Sequence, residues 1–437
     1  MGENSQIPNS WKQIPLGAIC RIVNGYAFKS SEYSPINNIP LVRISDINDG
    51  RIILNECVKV KEDNKYEKFI VKKGDILIAM SGATTGKFGV FQGNDQVYQN
   101  QRVGKFDIFD KSKLLDRYLF YLLFSLKKTI LDIAYGGAQP NISSNKIEQL
   151  KIPLPPLLEQ KRIVAKIEEL FSNLDKGIER LKAAQQQLKI YRQSVLKWAF
   201  EGRLVHTPNT KSRQNDWHWI QIKDIGKIET GTTPSKKKPE YYSKEYPFYK
   251  PSDLEAGNDV QSSIDRLSEI GLRKARYVPA NAILVTCIGA TIGKTGLIKK
   301  GGAFNQQLNA IIPNEKHNPK FIYYQTISPH FQEQIIKGAS ATTLPIINKK
   351  KFELLKMAIC SIEQQQEIVS EIESRLSVCD KLEESIRQGL GQAEALRQSI
   401  LKEAFDGKLV PRDPNNDSAD HSLEQNTLVS RQFDIVG

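Results

Sequence analysis

The sequence predicts an α/β (α+β) fold in which two mixed domains are joined by two long antiparallel helices. Three observations predict it: an internal repeat of about 205 residues, short strand-like runs in each half, and an apolar heptad pattern at the end of each half. Residues 192–205 (RQSVLKWAFEGRLV) and 397–410 (RQSILKEAFDGKLV) are identical at ten of fourteen positions. Because this period is far longer than that of a solenoid or propeller, we expect a duplicated domain with its connector, and so a pseudo-two-fold repeat.

The repeat extends through most of each half. Further pairs of segments match at offsets of 205 to 207 residues, and such small shifts are typical of insertions and deletions in surface loops. The pairs are residues 11–25 with 217–231, residues 74–87 with 281–294, and Asn100 and Gln101 with Asn305 and Gln306. Each half is therefore expected to have the same order of elements.

Each mixed region is predicted to be rich in strands. Short apolar runs bounded by Gly, Asp and Asn are typical of strands. They occur at 39–45, 74–80 and 87–91, and again at 246–252, 281–287 and 296–298. Apolar residues spaced three and four apart predict a helix over 116–134 and an equivalent helix over 321–336.

The first long helix is predicted to begin after the prolines of 153–160 (PLPPLLEQ), which fix an extended backbone. From there apolar residues alternate at spacings of four and three, and Gly202 is expected to stop the helix. The predicted seam consists of Ile163, Ile167, Leu170, Leu174, Gly177, Leu181, Ala184, Leu188, Tyr191, Val195 and Trp198. Roughly 45 residues at ~1.5 Å each give a rod of roughly 70 Å.

The second long helix is predicted over 362–407, with an apolar seam on the equivalent face. This seam consists of Ile368, Ile372, Cys379, Leu382, Ile386, Ala393, Leu396 and Ile400. One seam needs a partner, and the duplicate supplies it. We therefore predict an intramolecular antiparallel coiled coil, because the intervening domain of about 150 residues returns the chain to the far end. Dimerisation between two chains is the alternative.

These patterns divide the chain into five parts. The predicted parts are a first mixed domain at 1–152, a long helical spacer at 153–206, a second mixed domain at 207–357, a second spacer at 358–411 and a tail at 412–437. Residues 207–216 are polar and contain proline, so they are interpreted as a linker. The tail is predicted to be disordered because it has few apolar residues.

The charge of the chain predicts an acidic partner. The 62 Lys and Arg exceed the 49 Asp and Glu, which gives a formal net charge of +13, so nucleic acid is favoured over a basic surface without such a role. The sequence has no apolar run of the ~18 residues that a membrane span needs, and its first ten residues lack signal-peptide features. A cytoplasmic location without membrane contact is therefore expected. The five scattered cysteines are expected to be reduced core residues.

The sequence lacks the motifs expected of an enzyme. The Gly-rich turns 82–87 (GATTGK) and 289–295 (GATIGKT) have three residues between their glycines, whereas a Walker loop needs four to wrap a phosphate. We interpret them as tight turns between strands. No nucleophile with a base, metal-ligand cluster or methyl-donor loop stands out in the sequence. We therefore expect a non-catalytic chain that binds no metal or cofactor of its own.

Both mixed domains contain side chains of the types that bind DNA in other proteins. Direct reading uses Arg or Lys for guanine, Asn or Gln for adenine and carboxylates for cytosine, beside Lys that binds the backbone. The candidates of the first domain are Lys29, Arg43, Ser45, Asp46, Lys87, Asn100, Gln101, Arg102, Gln139 and Asn141. Those of the second domain are Lys236, Lys237, Lys238, Lys250, Ser252, Asp253, Lys294, Asn305, Gln306, Gln307 and Thr342. Matched residues are equally consistent with shared scaffold, so base-reading residues are expected where the copies differ.

Over residues 11 to about 410, the chain resembles the specificity (S) subunits of type I restriction-modification systems. The resemblance rests on the two helix ends of the form A-F-x-G-x-L-V at 199–205 and 404–410, the P-L-P-P-L-x-E-Q segment at 153–160, and the G-A-T-x-G-K turns. One departure is the second hinge, 357–364 (MAICSIEQ), which lacks the prolines of the first. Its bend is therefore expected to be softer or differently shaped.

The resemblance implies a double-stranded DNA-binding scaffold with two target-recognition domains, each reading one half of an asymmetric bipartite target. The helices would fix the gap between the half-sites. It also implies two methyltransferase (modification) subunits and, in the full complex, restriction subunits that translocate DNA. S-adenosylmethionine, ATP and Mg²⁺ are then expected on those partner subunits. The alternatives are a coiled-coil assembly adaptor and a specificity module of a related methylation-only or defence system.

Overall fold

The computed structural model describes residues 8–54, 57–135, 140–204, 217–340 and 344–411. The chain forms two compact units, each with one mixed region and part of both long helices. Unit 1 comprises Met1–Arg180 and Gly389–Gly437, and unit 2 comprises Leu181–Gln388. The predicted linker at 207–216 and the predicted tail at 412–437 lie outside the described residues.

The mixed region of unit 1 is built on three sheets within the described residues. Its strands are β1 (Lys12–Pro15), β2 (Cys20–Asn24), β3 (Ile39–Val42), β4 (Ile47–Asn48), β5 (Gly50–Ile52), β6 (Lys59–Val60), β7 (Ile70–Val71), β8 (Ile76–Ala79), β9 (Phe88–Val90), β10 (Val97–Gln99), β11 (Val103–Ile108) and β12 (Lys151–Leu154). The strand orders are β2-β11-β8-β9-β5-β4, β6-β3-β10-β7 and β1-β12. The helices that begin in unit 1 are α1 (Asp116–Ala134), α2 (Ser144–Glu148) and the first long helix, α3 (Leu157–Phe200).

Unit 2 repeats this arrangement with fewer strands in the largest sheet. Its strands are β13 (His218–Gln221), β14 (Gly226–Thr230), β15 (Tyr242–Tyr249), β16 (Arg266–Leu267), β17 (Tyr277–Val278), β18 (Ile283–Thr286), β19 (Thr295–Leu297), β20 (Gly302–Phe304), β21 (Leu308–Pro313) and β22 (Lys356–Ile359). The strand orders are β14-β21-β18-β19, β16-β15-β20-β17 and β13-β22. The helices that begin here are α4 (Ile222–Ile225), α5 (Glu269–Lys274), α6 (Pro319–Thr326), α7 (Pro329–Gly338), α8 (Lys349–Glu353) and the second long helix, α9 (Ile362–Phe405).

A strand buried on both faces lies at the centre of each unit. Ile76 and Ile78 of β8 belong to the core that contains α1, whereas Leu77 and Ala79 belong to a second core on the opposite face. Alternate residues of a strand point to opposite faces, so this division follows from the pleat. In unit 2, β18 is divided between two cores in the same way. The continuous apolar runs of these strands thus result from burial on both faces.

The predicted fold class is confirmed, with one error among the helices. Helix α1 has the predicted bounds, and all the predicted strand segments contain strands. The single helix predicted over 321–336 is wrong, because the structure has α6 and α7 in its place. Pro329 is the first residue of α7, and the Ser328 hydroxyl accepts a hydrogen bond from the amide of Phe331. Proline and its serine cap therefore start a second helix inside one apolar period.

Both long helices end at a glycine, as predicted for Gly202. Gly202 has a φ of 70° and Gly407 a φ of 72°, the left-handed region that favours glycine. The amide of the residue after each glycine bonds to a carbonyl five residues earlier, Arg203 to Trp198 and Lys408 to Glu403, both at 2.8 Å. This Schellman geometry stops the two helices at the same point of the repeat. Within the described residues, no helix is both long and apolar enough to cross a membrane.

In unit 1, α3 and α9 pack against each other in opposite directions. The guanidinium of Arg397 lies 4.5 Å from the ring centre of Phe171 in α3. Eight residues later, the ring of Phe405 lies 5.4 Å from that of Tyr118, whose hydroxyl donates to the carbonyl of Pro153 just before α3. Helix α9 therefore runs towards the start of α3, which confirms the antiparallel prediction within this unit.

Two ion pairs occupy equivalent positions on the paired helices. In unit 1, Arg397 pairs with Asp175. In unit 2, Arg192 pairs with Asp380 at 2.6 Å and with Glu383 at 3.1 Å. Both members of the first pair lie 205 residues from those of the Arg192–Asp380 pair, and both arginines are about 70% buried. The repeat therefore preserves a charged contact within the helix pair of each unit.

Five predicted seam residues are wrong. Trp198, Tyr191, Leu382 and Leu396 are 38%, 39%, 49% and 51% exposed, and Gly177 is also exposed, whereas the other predicted seam residues are buried or partly buried. The residues that follow Tyr191 and Leu396 are the paired Arg192 and Arg397, and these make the contact between helices instead. An apolar pattern in the sequence does not identify these two arginines, because the residue that faces the partner helix at these positions is charged.

A buried glutamine holds the bend before each long helix. The Nε2 of Gln160 donates to the carbonyls of Pro155 at 2.9 Å and Lys113 at 2.6 Å, and its Oε1 accepts from the amide of Leu115 at 3.0 Å. Gln365 makes the equivalent bonds to Cys360, Lys316 and Asn318 at 2.9, 3.5 and 2.8 Å. Neither glutamine has measurable exposure.

The prediction of a differently shaped second bend is therefore wrong. Two residues separate β12 from α3, and two separate β22 from α9. The second bend lacks the prolines of the first, but Gln365 fixes its backbone with the same set of hydrogen bonds. The backbone of both bends is fixed by a glutamine side chain, Gln160 at the first and Gln365, one residue beyond the segment 357–364, at the second.

All five cysteines lie in the described residues, and none of them forms a disulfide bond. Cys20, Cys287, Cys360 and Cys379 are buried, and Cys57 is partly exposed. Burial raises the pKa of the Cys20 and Cys287 thiols to about 12, so both are neutral near pH 7. These two thiols therefore behave as small apolar core groups.

Candidate nucleic-acid interface

The Gly-rich turn of unit 1 packs against the segment that precedes α2. The turn joins β8 to β9, and the amide of Gly82 donates to the carbonyl of Pro140 at 3.2 Å. The amide of Ile142 donates to the carbonyl of Met80 at 2.9 Å, and the amide of Met80 donates to the carbonyl of Arg102 at 3.0 Å. Three distant segments of the chain are therefore fixed side by side at the end of β8.

These segments line a groove with a volume of about 1070 Å³. The predicted residues Gln101, Arg102 and Asn141 are brought together on it, and all three are exposed. None of the described residues that line the groove is acidic. The groove thus offers hydrogen-bond donors, acceptors and one arginine, which are the groups that read base edges.

Sequence reasoning missed several polar residues of this groove. They are Asn24, Ser81, Ser143, Ser144 and Asn145. The groove forms only because the segment after residue 139 crosses the Gly-rich turn, and no local pattern indicates that contact. The sequence feature that could have indicated this contact is Pro140, because it recurs as Pro345 at an offset of 205 residues.

Unit 2 builds the same backbone arrangement. The amide of Gly289 donates to the carbonyl of Pro345 at 3.0 Å, and the amide of Ile347 donates to that of Cys287 at 2.9 Å. The amide of Cys287 donates to the carbonyl of Gln307 at 2.7 Å. These three bonds match those of unit 1 one for one, so both units present equivalent surfaces on one scaffold.

The lysines that end the two Gly-rich turns differ in their partners. Lys87 is partly buried, and within the described residues no carboxylate pairs with it. Lys294 pairs with Glu255. The positive charge of Lys87 is therefore not neutralised by a neighbour, which leaves it suited to a phosphate.

Two predicted carboxylates have a structural role. Asp46 is 6% exposed, and its oxygens accept from the amide of Arg43 at 2.8 Å and the hydroxyl of Ser45 at 3.1 Å. Asp253 accepts from the amide of Lys250 at 2.7 Å in the equivalent 3₁₀ turn. The oxygens of these carboxylates close turns of the backbone, which gives them a structural role, and their contact with bases stays a prediction.

The basic residues beside these turns are also partly engaged. Arg43 lies 3.8 Å from Asp46, and Lys250 pairs with Asp265. Burial, and then the charge of Lys236, lower the pKa of Lys250. Ser45 and Ser252 are exposed. The structure therefore places these residues at the surface of turns but outside the groove.

The asparagines at the end of β10 and β20 mainly support neighbouring side chains. Asn100 donates to the hydroxyl of Tyr33 at 3.4 Å. Asn305 is buried, and its Nδ2 donates to the Oε1 of Gln307 at 2.9 Å. Gln306 is exposed and bonds to Thr233. These contacts favour a positioning role for the asparagines.

The other predicted residues are not on the groove. Lys29, Lys236, Lys237 and Lys238 are exposed loop residues, and the ammonium of Lys238 lies 5.5 Å from the ring centre of Tyr241. They add positive surface without a defined pocket. Gln139 and Thr342 lie outside the described residues.

Unit 1 contains a second groove of about 1330 Å³ between α1 and the long helices. Its lining has six acidic and six basic side chains, several of them paired with each other, as Arg117 is with Glu168. This balanced charge does not favour a polyanion. Within the described residues, no group of three or more His, Cys, Asp or Glu is placed to hold a metal ion.

The fold and the repeated backbone arrangement define a class of protein: chains with a duplicated mixed domain, each copy followed by a long helix. A family model described as the type I restriction modification DNA specificity domain matches residues 8–188 and again 214–392. The chain therefore belongs to this family of DNA specificity proteins.

Curated relatives match over nearly the whole chain. The EcoBI specificity subunit of Escherichia coli is 28% identical over 426 residues, covering 92% of this chain and 87% of the relative. The EcoKI specificity subunit of Escherichia coli strain K12 is 24% identical, with 93% and 90% of the two chains covered. Both are named as parts of type I restriction enzymes.

Two solved structures share the fold. One, described as showing the assembly and conformational transition of a type I restriction-modification system, has a TM-score of 0.73 at 20% identity and covers 92% of this chain and 99% of its own. The HsdS subunit of Thermoanaerobacter tengcongensis has a TM-score of 0.59 at 19% identity and covers 93% and 99%. At these identities the likeness concerns the fold alone.

Proposed function

We propose that this chain is the DNA-binding specificity subunit of a type I restriction-modification complex and that it reads an asymmetric bipartite target. The observation that carries the proposal is the set of three backbone hydrogen bonds that forms the groove at the end of β8 and recurs at the end of β18. One scaffold with different side chains suits two different half-sites. The family match over both halves and the net charge of +13 support the same function.

The partners follow from this role. The chain would scaffold two methyltransferase subunits and, in the full complex, restriction subunits, with S-adenosylmethionine, ATP and Mg²⁺ bound by those partners. It would contribute recognition and no catalysis, and it would act on cytoplasmic DNA. The proposed parts are recognition domains at 1–152 and 207–357, helical spacers at 153–206 and 358–411, and a tail at 412–437.

Exchanging residues 1–150 for the equivalent domain of a relative is expected to change one half-site only. The reason is that the groove of unit 1 is formed entirely by residues of this segment. The measurement is methylation mapping of DNA modified by the chain together with its methyltransferase subunits. The reciprocal exchange of 207–357 is the matched control and should change the other half-site. A change in both half-sites after either exchange would contradict modular reading.

Lys87→Ala is expected to weaken binding on all DNA sequences and to reduce the slope of log K against log salt by about 0.9, the value for one phosphate contact. Binding of the assembled complex to specific and random duplexes is measured over a range of salt concentrations. The control is Lys111→Ala, which removes the same charge from an exposed residue paired with Asp116. An altered sequence preference would instead make Lys87 a base reader. If the chain were an assembly adaptor that does not bind DNA, the unsubstituted complex would not bind either duplex.

A further inference from the structure

Arg102, which lines the groove of unit 1, corresponds in the repeat to Gln307 of unit 2. Arg102 and Gln307 are 205 residues apart, and each immediately precedes the last long strand of its sheet. The carbonyl of each accepts a hydrogen bond from the residue after the central strand, Met80 at 3.0 Å and Cys287 at 2.7 Å. The backbone is therefore held in the same way in both units, and only the side chain differs.

A neighbouring pair of positions changes together with it. Ser81 and Asn141 form an isolated β-bridge beside Arg102, and Ile288 and Ile346 form the equivalent bridge in unit 2. This bridged pair of residues is thus polar in unit 1 and apolar in unit 2. A difference that involves three adjacent positions on a conserved backbone is expected of surfaces that contact different ligands.

The side chains at the variable position keep hydrogen-bonding groups for a ligand: the guanidinium of Arg102, and the Nε2 and second Oε1 lone pair of Gln307. Arg102 is exposed, and within the described residues no carboxylate pairs with it. Gln307 is partly buried, and the Nδ2 of Asn305 holds its Oε1 at 2.9 Å, which orients the amide. Arginine forms two hydrogen bonds with O6 and N7 of guanine, and glutamine forms two with N6 and N7 of adenine.

The lysines at the ends of the Gly-rich turns, unlike Arg102 and Gln307, do not change in residue type between the two units. Lys87 and Lys294 are the same residue type at the same point of the repeat. A contact with phosphate carries no sequence information, so the residue type need not change between the copies, although Lys294 is paired with Glu255 and Lys87 is not paired with a carboxylate of the described residues. A contact with a base edge must change when the base changes. Position 102 and its equivalent 307 follow the second pattern.

We propose that Arg102 and Gln307 are corresponding base-reading residues, with Arg102 recognising a guanine in one half-site and Gln307 an adenine in the other. The assignment rests on the proposed function and adds to it the residue and the base. The apolar pair Ile288 and Ile346 beside Gln307 would favour a thymine methyl group next to that adenine.

The test uses Arg102→Gln in the chain assembled with its methyltransferase subunits. The complex modifies a randomised DNA library with S-adenosylmethionine, and the methylated sites are mapped. One guanine of one half-site is expected to be replaced by adenine, with the preference for the original base falling roughly 10-fold to 100-fold. The other half-site should be unchanged. Gln307→Arg is expected to change an adenine to guanine in that other half-site.

Arg21→Gln is the matched control, because Arg21 is an exposed arginine of unit 1 that pairs with Asp107 and does not line the groove. It should leave both half-sites unchanged. The proposal is overturned if Arg102→Gln modifies the original target with unchanged preference, or if it weakens binding without changing a base. Gln307→Arg decides the matter independently if Arg102→Gln fails to assemble. A parent complex with no bipartite preference would contradict the proposed function itself, which separates that failure from this one.

Discussion

The Gln160→Ala chain is expected to lose about 3 kcal/mol of stability in unit 1, because each buried polar group left without a partner costs about 1 to 3 kcal/mol. The Gln160 side chain serves one amide and two carbonyls, at Leu115, Lys113 and Pro155. Alanine removes all three bonds, which are made by a side chain with no measurable exposure. Both the bend before α3 and the loop before α1 would lose their fixed geometry.

Chemical denaturation of the whole chain measures this loss, and hydrogen exchange of the Leu115 amide localises it. The matched control is Gln398→Ala in α9, which truncates an exposed glutamine of the same unit and should change stability by less than about 0.5 kcal/mol. Equal effects of the two substitutions, or unchanged protection of Leu115, would show that the buried amide is not the element that holds the bend.

Phe405→Ala is expected to destabilise unit 1 by about 4 kcal/mol, the usual cost of removing a buried aromatic ring from a core. Phe405 is 1% exposed, and its ring packs edge-on against Tyr118. It lies in one core with Leu119 and Ile163, although more than 240 residues separate it from each of them in sequence. The last turn of α9 is thus part of the first mixed region's core.

Thermal unfolding with tryptophan fluorescence checks this prediction, since Trp11 belongs to the same core. Leu396→Ala is the control, because Leu396 is on the same helix but 51% exposed, and a change of less than about 0.5 kcal/mol is expected. If Phe405→Ala were as mild as the control, the end of α9 would not be required for the stability of unit 1.

The long helices were predictable because their periodicity is sustained over 44 residues each. Their packing phase was less predictable. Arg192 and Arg397 lie between the paired helices and look like solvent positions in a sequence, so the exposed Tyr191 and Leu396 were chosen in their place. The partner carboxylates Asp380 and Asp175 lie 188 and 222 residues from these arginines in sequence, so no local pattern contains both members of a pair.

The groove was predictable only in part. Gln101 and Arg102 stand out because they are polar residues that follow a buried strand, and both line the groove. Asn24 and Ser143 depend on contacts between segments far apart in the chain. The turn-closing role of Asp46 was open to prediction, because the three-residue spacing from Arg43 to Asp46 is typical of a residue that closes its own turn.

The composition of unit 1 has a consequence for biosynthesis. All of unit 2, Leu181–Gln388, leaves the ribosome before the segment from Gly389 onwards that contributes Phe405 to unit 1. The domain that begins first is therefore completed last, and its apolar surface stays open until the final helix turn is made. A chain truncated before that turn would expose this surface and become a target for chaperones and proteases, so translation to the end of α9 is a condition for a stable first domain.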